Sequence, residues 1–414
     1  MKKEEFYQEF LADSLGPLEG IKVLEATTSH AGPVAGKILA DLGAEVIKIE
    51  MPQKGDILRH LGPFLPSCPD KLEASSYYQS LNRNKKGITL RLSFPQGKDV
   101  FLDLARRMDI IIENYKPGTM KRWGVGYSQV KKIKADIIYV SIAGRGQWGP
   151  QHPKPSYDAV GQAMGGLMHV TGNADDPPTR AGYGLGDDLA GWQAAFGGLS
   201  ALLYRQQTGK GQHVDVSQQD AMLYASEIGI MAASNAGYFW KRMGSGNPVV
   251  SPYDTYKCQD DYVFIAVVLD SHWERFCKII AREDLIADPR TSNPASRAKN
   301  KDFVDKIVWE WTQYKTVAEV VEILEQAQLV VAPILNLNQV AGDKHLMERD
   351  MVTKVEHPLS GRLSIYGVAP KFSLTPGKVR SPAPMLGQHN QEIYQGLLNY
   401  SEEKIASLKE ENGI

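Results

Sequence analysis

The feature that most restricts the fold lies between Ile21 and Glu50. Two short apolar runs, Ile21-Lys22-Val23-Leu24-Glu25-Ala26 and Val46-Ile47-Lys48-Ile49-Glu50, flank one helix-length segment, 34–42, which Gly43 closes. Two strands joined by a helix run parallel, because a crossover of that length carries the chain back to its starting side. The turn after the first run, TTSHAGPVAG, lacks G-x-G-x-x-G and contains a proline, so it is not a dinucleotide fingerprint. The alternation continues down the chain. Segments 87–92, 109–113, 137–142 and 213–217 read as strands, and 95–108 and 127–133 as helices. The expected fold class is α/β, a Rossmann-like doubly wound parallel sheet. Such sheets bind ligands at the carboxyl ends of their strands, which here are the segments around His30, Asn114 and Arg145.

The chain has 414 residues, enough for roughly two or three domains. Residues 1–20 read as a short amphipathic arm. Residues 51–80, rich in proline, glycine and polar side chains, read as a surface excursion, and 218 to about 238 as one helix. From about 240 the texture changes, with short alternating strands within 253–268 and helical patterns over 272–281, 301–311 and 317–327. The expected division is residues 1–225 as the first part of a large α/β domain, 240–345 as a smaller α+β domain, and 346–414 as the return to the large one.

Composition excludes several function classes. The formal net charge is -1, so no global field favours nucleic acid or an anionic membrane. Three cysteines, Cys68, Cys258 and Cys277, form no CxxC pair, which points to a reducing compartment. The start, MKKEEFYQEFLADSLG, mixes acids and bases without an apolar signal core, and no apolar run approaches the roughly 18 residues of a membrane span. A soluble, cytoplasmic protein is the expectation. The nine histidines show no H-E-x-x-H or other ligand spacing, so no metal site is expected. Neither a phosphate-binding G-x-x-x-x-G-K-[ST] nor a G-x-S-x-G elbow is present.

The remaining chemical candidate is the stretch GLGDDLAGWQAAFGGLSALLYRQQTGKGQHVDVS, from Gly184 to Ser217. Leu189, Trp192, Phe196, Leu199 and Leu203 recur at steps of three and four and predict one buried helical face. Thr208-Gly209-Lys210-Gly211 predicts its end. Asp187 and Asp188 stand at its start behind Gly184 and Gly186. Two readings are open for these acids: a helix cap that complements the dipole, or an accessible carboxylate nucleophile.

Several segments together resemble the class III CoA-transferase family, which includes formyl-CoA transferase and carnitine CoA-transferase. They are VLEATTSHAGPVAGKILADLGAEVIKIE, NRNKKGITL, ENYKPGTMKRWG, SYDAVGQAMGGLMHVTG, GDDLAG with TGKGQHVDVS, and PAPMLGQHNQEI, in order from about residue 18 to 397. The resemblance implies a CoA-binding large domain and a transferase that moves CoA from an acyl-CoA donor to a carboxylic acid. It needs no prosthetic group, since CoA thioesters are themselves the substrates. It also implies an aspartyl nucleophile, which the motif register places at Asp187 with Asp188 beside it, acting through aspartyl anhydride and aspartyl-CoA thioester intermediates. Arg59, Lys85 and Arg122 match positions near CoA in the family. The loop MGSGNP, with Gly244 and Gly246, matches a glycine-rich loop that shields the site from water. Family members form interlocked dimers, so a homodimer is implied, with a heteromeric transferase as the other possibility.

The departures bear on substrate. His30 stands where the formyl-CoA branch has glutamine, and Met51 where it has arginine. Arg145 occupies a loop position that is often aromatic in relatives. His30 and Arg145 are the expected substrate-facing residues, Arg145 as a partner for the second carboxylate of a dicarboxylic acid. The alternative on the same fold is a 2-methylacyl-CoA racemase, in which a His-Asp pair exchanges the α-proton. Here the matching block reads Ser156-Tyr157-Asp158, with tyrosine at the histidine position.

Overall fold

The computed structural model describes all 414 residues. Six strands, β1 (Lys22–Ala26), β2 (Glu45–Glu50), β3 (Lys86–Thr89), β4 (Ile110–Glu113), β5 (Ile138–Ala143) and β6 (His213–Ser217), make one sheet in the order β3-β2-β1-β4-β5-β6. Every neighbouring pair is parallel, with Val23 of β1 opposite Val46 of β2 and Ile110 of β4. This is the doubly wound α/β architecture expected from the alternation.

Successive side chains on a strand leave by opposite faces. Val23, Val46, Ile110, Ile138 and Val140 pack on one face with the helices Ala31–Asp41 and Leu185–Thr208. Leu24, Ile47, Ile49, Ile111 and Tyr139 pack on the other with the helix Pro95–Ala105. Both faces are covered, and for that reason the strands read as near-continuous apolar runs. Full burial of each such aliphatic side chain contributes roughly 1.5–3 kcal/mol.

The chain forms two compact units. The first comprises Met1–Leu167, Ala181–Glu227 and Lys344–Ile414, and the second Met168–Arg180 and Ile228–Asp343. The segment Met168–Arg180 thus lies with the second unit, a division the sequence boundaries did not draw. Besides the parallel sheet, the first unit holds an antiparallel hairpin, residues 352–357 paired with 361–366. In the second unit β7 (Tyr253–Lys257), β8 (Tyr262–Ala266) and β9 (Val330–Pro333) form an antiparallel sheet. Its core gathers Trp273, Phe276, Val304, Val308 and Leu324 from the helices Asp270–Ile279, Lys301–Thr312 and Val317–Gln326.

Three sequence expectations fail. The helix expected from 218 to about 238 is two helices, Gln218–Tyr224 and Gly229–Asn235, because Glu227 takes a left-handed φ of 54° that no α-helix propagates. Residues 51–80 are not merely a surface excursion. Asp56, Leu58, Arg59, Ala74 and Tyr78 are buried, their polar groups neutralised by partners instead of water.

The third concerns the helix Leu185–Thr208. Trp192, Phe196 and Leu203 are 56%, 74% and 58% exposed, while Ala190, Gly191, Ala194, Ala195, Gly198 and Ala201 are buried. Leu189 and Leu199 lie between, partly buried against the core. The small residues form the inward face because the helix lies close against its neighbour: a Cβ on Gly191 would come within 2.7 Å of Ala31 O and of Val34. Large apolar spacing alone does not tell which face turns inward. Gly191→Val should therefore lower stability by about 1–3 kcal/mol through overpacking. Chemical denaturation checks it, and a variant with unchanged stability would show that the contact yields freely.

Candidate active site

The reversal of strand order falls between β1 and β4, and the site grows from the carboxyl ends on that side of the sheet. After β1 the chain turns through Thr27, Thr28, Ser29 and His30 into the helix Ala31–Asp41. Ser29 sits at a φ of 65°, so the turn needs external support. Asn114, just past β4, bridges to it: its Oδ1 accepts from Thr28 N at 2.9 Å and its Nδ2 donates to Thr28 O at 2.7 Å. Asp56 Oδ1 accepts from Ser29 N at 3.0 Å, and Lys48 Nζ donates to Thr27 O at 3.1 Å. Lys48 also pairs with Glu25 and Asp56, and all three are buried. Burial opposes the Lys48 charge, but Asp56 and Glu25 more than offset it and its pKa is raised.

This framework delivers His30, a buried imidazole. Its Nε2 lies 2.8 Å from Asp188 Oδ1 and its Nδ1 2.7 Å from the Tyr77 hydroxyl. Asp187 Oδ2 is 4.0 Å from His30 Nδ1. Burial pushes the His30 pKa down, yet the Asp188 hydrogen bond and the charges of Asp187, Asp188 and Asp158 outweigh it, and the net direction is up.

The capping reading of the paired acids is answered by a third acid. Asp158, at the start of the helix Asp158–Met164, accepts on Oδ1 from Gly186 N at 2.8 Å and from Asp187 N at 3.4 Å. No side chain of the residue preceding the helix Leu185–Thr208 caps it. Asp158 satisfies orphan amides of its first turn, which leaves both neighbouring carboxylates for other bonds. The glycines permit this. A Cβ on Gly186 would lie 2.9 Å from Asp158 O, and one on Gly184 3.1 Å from the His30 ring. Asp187 Oδ1 in turn accepts a hydrogen bond from Gln218 Nε2, the first residue after β6.

Burial pushes the Asp187 pKa up. His30 pulls it down, Asp158 raises it, Gln218 lowers it and Asp188 raises it, leaving it at about 6. At pH 7 roughly nine-tenths of such a group is ionised. Asp187 is thus a desolvated carboxylate that remains charged at neutral pH, the state an attacking carboxylate requires.

The other sequence-predicted residues are placed as follows. Arg59 is fully buried. All its donors are taken, Nε and Nη2 by Glu50, Nη1 by Glu73 and Leu72 O, and Nη2 also by Pro384 O, and its guanidinium stacks on Tyr78. Lys85 is buried on Glu25, Pro33 O and Asn82, and desolvation lowers its pKa to about 8. Neither has a donor left for a phosphate, so both expectations are corrected: these cations neutralise buried carboxylates. Arg122 is exposed and bonds within the protein to Thr119 Oγ1. Arg145, in the loop after β5, donates to Gln151 from Nη1, while its buried Nε has no hydrogen-bond partner. Gly244 and Gly246 belong to the second unit. Gly244 has a φ of 63° and donates its N–H to Gly172 O, and Gly246 abuts Lys301 and Asp254. Sequence reasoning did not find Tyr77, the capping role of Asp158, or Gln218. For Gln218 the signal was its place one residue beyond a strand's carboxyl end.

The comparisons with known proteins agree with this architecture. The sequence model described as CoA-transferase family III matches residues 18–390. The chain is 35% identical over 384 residues to the succinyl-CoA:mesaconate CoA-transferase of Haloarcula hispanica, covering 92% of this chain and 96% of that one. It is also 35% identical to the formyl-CoA:oxalate CoA-transferase of Streptomyces coelicolor, over 95% of this chain and 98% of that one. A CAIB/BAIF family protein from Brucella suis superposes with a TM-score of 0.83 at 31% identity, over 92% of this chain and 99% of that one.

The acidic limb of the pH–activity profile should report Asp187 and its neighbours. His30 lowers the Asp187 pKa, so His30→Gln should raise it. We expect the ionised form to be the reactive one, so activity should fall with pH through that pKa and the limb should move to higher pH in the variant. A kcat/KM profile from about pH 5 to 8 checks this; a limb that stayed in place would exclude His30 as the tuning charge.

Proposed function

The chain belongs to CoA-transferase family III, and we propose that it moves CoA between two acyl groups through Asp187. The supporting observation is the environment of that one carboxylate. It is half-buried, with 15% of its side chain exposed, yet ionised at pH 7, relieved of capping by Asp158, and bonded through only one of its oxygens. Asp188 is occupied with His30 at 2.8 Å, which favours Asp187 over its neighbour as nucleophile.

In this reading Asp187 attacks the donor thioester and forms a mixed anhydride, releasing CoA thiolate. The thiolate attacks the aspartyl carbonyl, frees the donor acid and leaves an aspartyl-CoA thioester. The acceptor carboxylate displaces CoA to make a second anhydride, and the thiolate takes the acceptor acyl group. Each anhydride is open to hydrolysis, so the chemistry needs water excluded from Asp187. CoA thioesters are substrates here, and Arg122 is the candidate from the sequence that keeps exposed donors for their phosphates.

The acceptor is proposed to be a dicarboxylic acid. Mesaconate and oxalate, named for the two relatives, are both dicarboxylic, and Arg145 has an unpartnered buried Nε after β5. A planar guanidinium suits a second carboxylate because it binds one bidentately. We also propose a homodimer. Trp192, Phe196, Leu203 and Tyr204 along the long helix, with Leu223 and Tyr224 beyond β6, are exposed, and apolar side chains of this size are the kind an obligate interface covers.

Incubation with succinyl-CoA followed by peptide mass analysis should find CoA on Asp187, and Asp187→Ala should lose at least about 10³-fold in kcat. Adduct on Asp188 instead would refute the assignment. Arg145→Ala should raise the KM for a dicarboxylic acceptor by about tenfold or more while changing the donor KM little; an unchanged acceptor KM would rule Arg145 out. Sedimentation should give about twice the 45.8 kDa chain mass, and a monomer at micromolar concentration would refute the dimer.

A further inference from the structure

The two oxygens of Asp187 are not equivalent, and the difference comes from Gln218. Its side chain is buried, and its Nε2 donates to Asp187 Oδ1. The amide is held in one orientation, since its Oε1 accepts from Ser156 Oγ at 2.9 Å. Ser156 reaches that place because residue 144 is glycine: a Cβ there would lie 1.9 Å from Ser156 Cβ and 3.3 Å from Gln218 Oε1. Asp187 Oδ2 faces His30 at 4.0 Å, beyond a hydrogen bond. The less engaged oxygen is therefore Oδ2, and the oxygen with a fixed donor is Oδ1.

We propose that Gln218 is a catalytic residue, the oxyanion donor at the aspartyl carbonyl in the two inner steps of the transfer. The inference rests on Asp187 as nucleophile. When Oδ2 attacks the donor thioester, the new C–O bond forms, the C–S bond breaks and the electron pair leaves on the CoA sulfur. Oδ1 is then the carbonyl oxygen of the aspartyl half of the anhydride. The thiolate next attacks Asp187 Cγ, and the carbonyl pair moves onto Oδ1, where the Gln218 N–H already points. The charge returns as the Cγ–Oδ2 bond breaks and the donor acid departs with Oδ2. Attack of the acceptor carboxylate on the aspartyl thioester loads Oδ1 again, until the CoA thiolate leaves. In the first and last steps the charge develops on the oxygen of the transferred acyl group, not on Oδ1. A preorganised donor aimed where charge develops acts without reorganisation at the moment of reaction. Gln218 thus separates the four steps into two it assists and two it does not.

The experiment uses the intact enzyme and succinyl-CoA alone, quenched at successive times, with the Asp187 peptide read by mass. Gln218→Ala and Gln218→Met remove the donor, the second at nearly the same size, and Ser156→Ala frees the amide to turn. Both Gln218 variants should form aspartyl-CoA about 10²–10³-fold more slowly, and Ser156→Ala about tenfold more slowly. The donor KM should stay within about threefold, since the donor's binding is not what changes. The acidic limb should also move to higher pH in Gln218→Ala, because the hydrogen bond it loses holds the Asp187 pKa down. Folded Gln218 variants that form aspartyl-CoA at the wild-type rate would overturn the proposal while leaving Asp187 as nucleophile. Wild-type enzyme that never carries CoA on Asp187 would overturn both.

Discussion

The close approach of two helices holds the site together. Gly191 of the helix Leu185–Thr208 lies against Ala31 O and Val34 of the helix Ala31–Asp41, at a spacing that leaves no room for a Cβ. Asp187 is one turn before Gly191, and His30 immediately precedes Ala31. A contact between main chains one turn away therefore sets how closely the imidazole and the carboxylates meet. Alanine and glycine on the inward face achieve this because only small residues let helix axes come so near. The large apolar residues are left pointing outward as a consequence.

Around that contact, charges are ordered by what each one neutralises. Lys48, Glu25, Asp56 and Lys85 compensate one another below the turn that carries His30, so its odd backbone geometry at Ser29 rests on a rigid base. Breaking one partner of such a buried set strands a charge in low dielectric, which typically costs about 3–5 kcal/mol. Above the turn three carboxylates surround one imidazole, and they divide the work among them. Asp158 caps the long helix, Asp188 holds His30, and Asp187 is left with Gln218. Their mutual repulsion and burial keep Asp187 from being too weak a base, while His30 keeps it charged.

Much of the fold was legible because it depends on local pattern. The β-α-β opening, the strand ends and the stop at Gly209 follow from period, punctuation and the left-handed freedom of glycine. The reading failed where residues of one chemical kind can serve opposite ends. Arg59 and Lys85 looked like cations for phosphate, but a cation bonded to buried carboxylates has the same letter in the sequence as one facing solvent. Residues 51–80 looked exposed for the same reason, since polar composition predicts water only when no internal partner exists.

The sequence by itself determined the parallel α/β class, the family, and the place of the paired acids at the start of the long helix, since each follows from short-range pattern and from motifs in order. The tertiary structure decided which acid caps, which holds His30 and which meets Gln218. It also decided that Gln218, thirty-one residues beyond Asp187, donates to one of its oxygens. Those assignments depend on side chains from the segments after β1, β5 and β6 and from the long helix meeting within hydrogen-bond distance. Such meetings are set by packing across the sheet, and no periodicity along the chain encodes them.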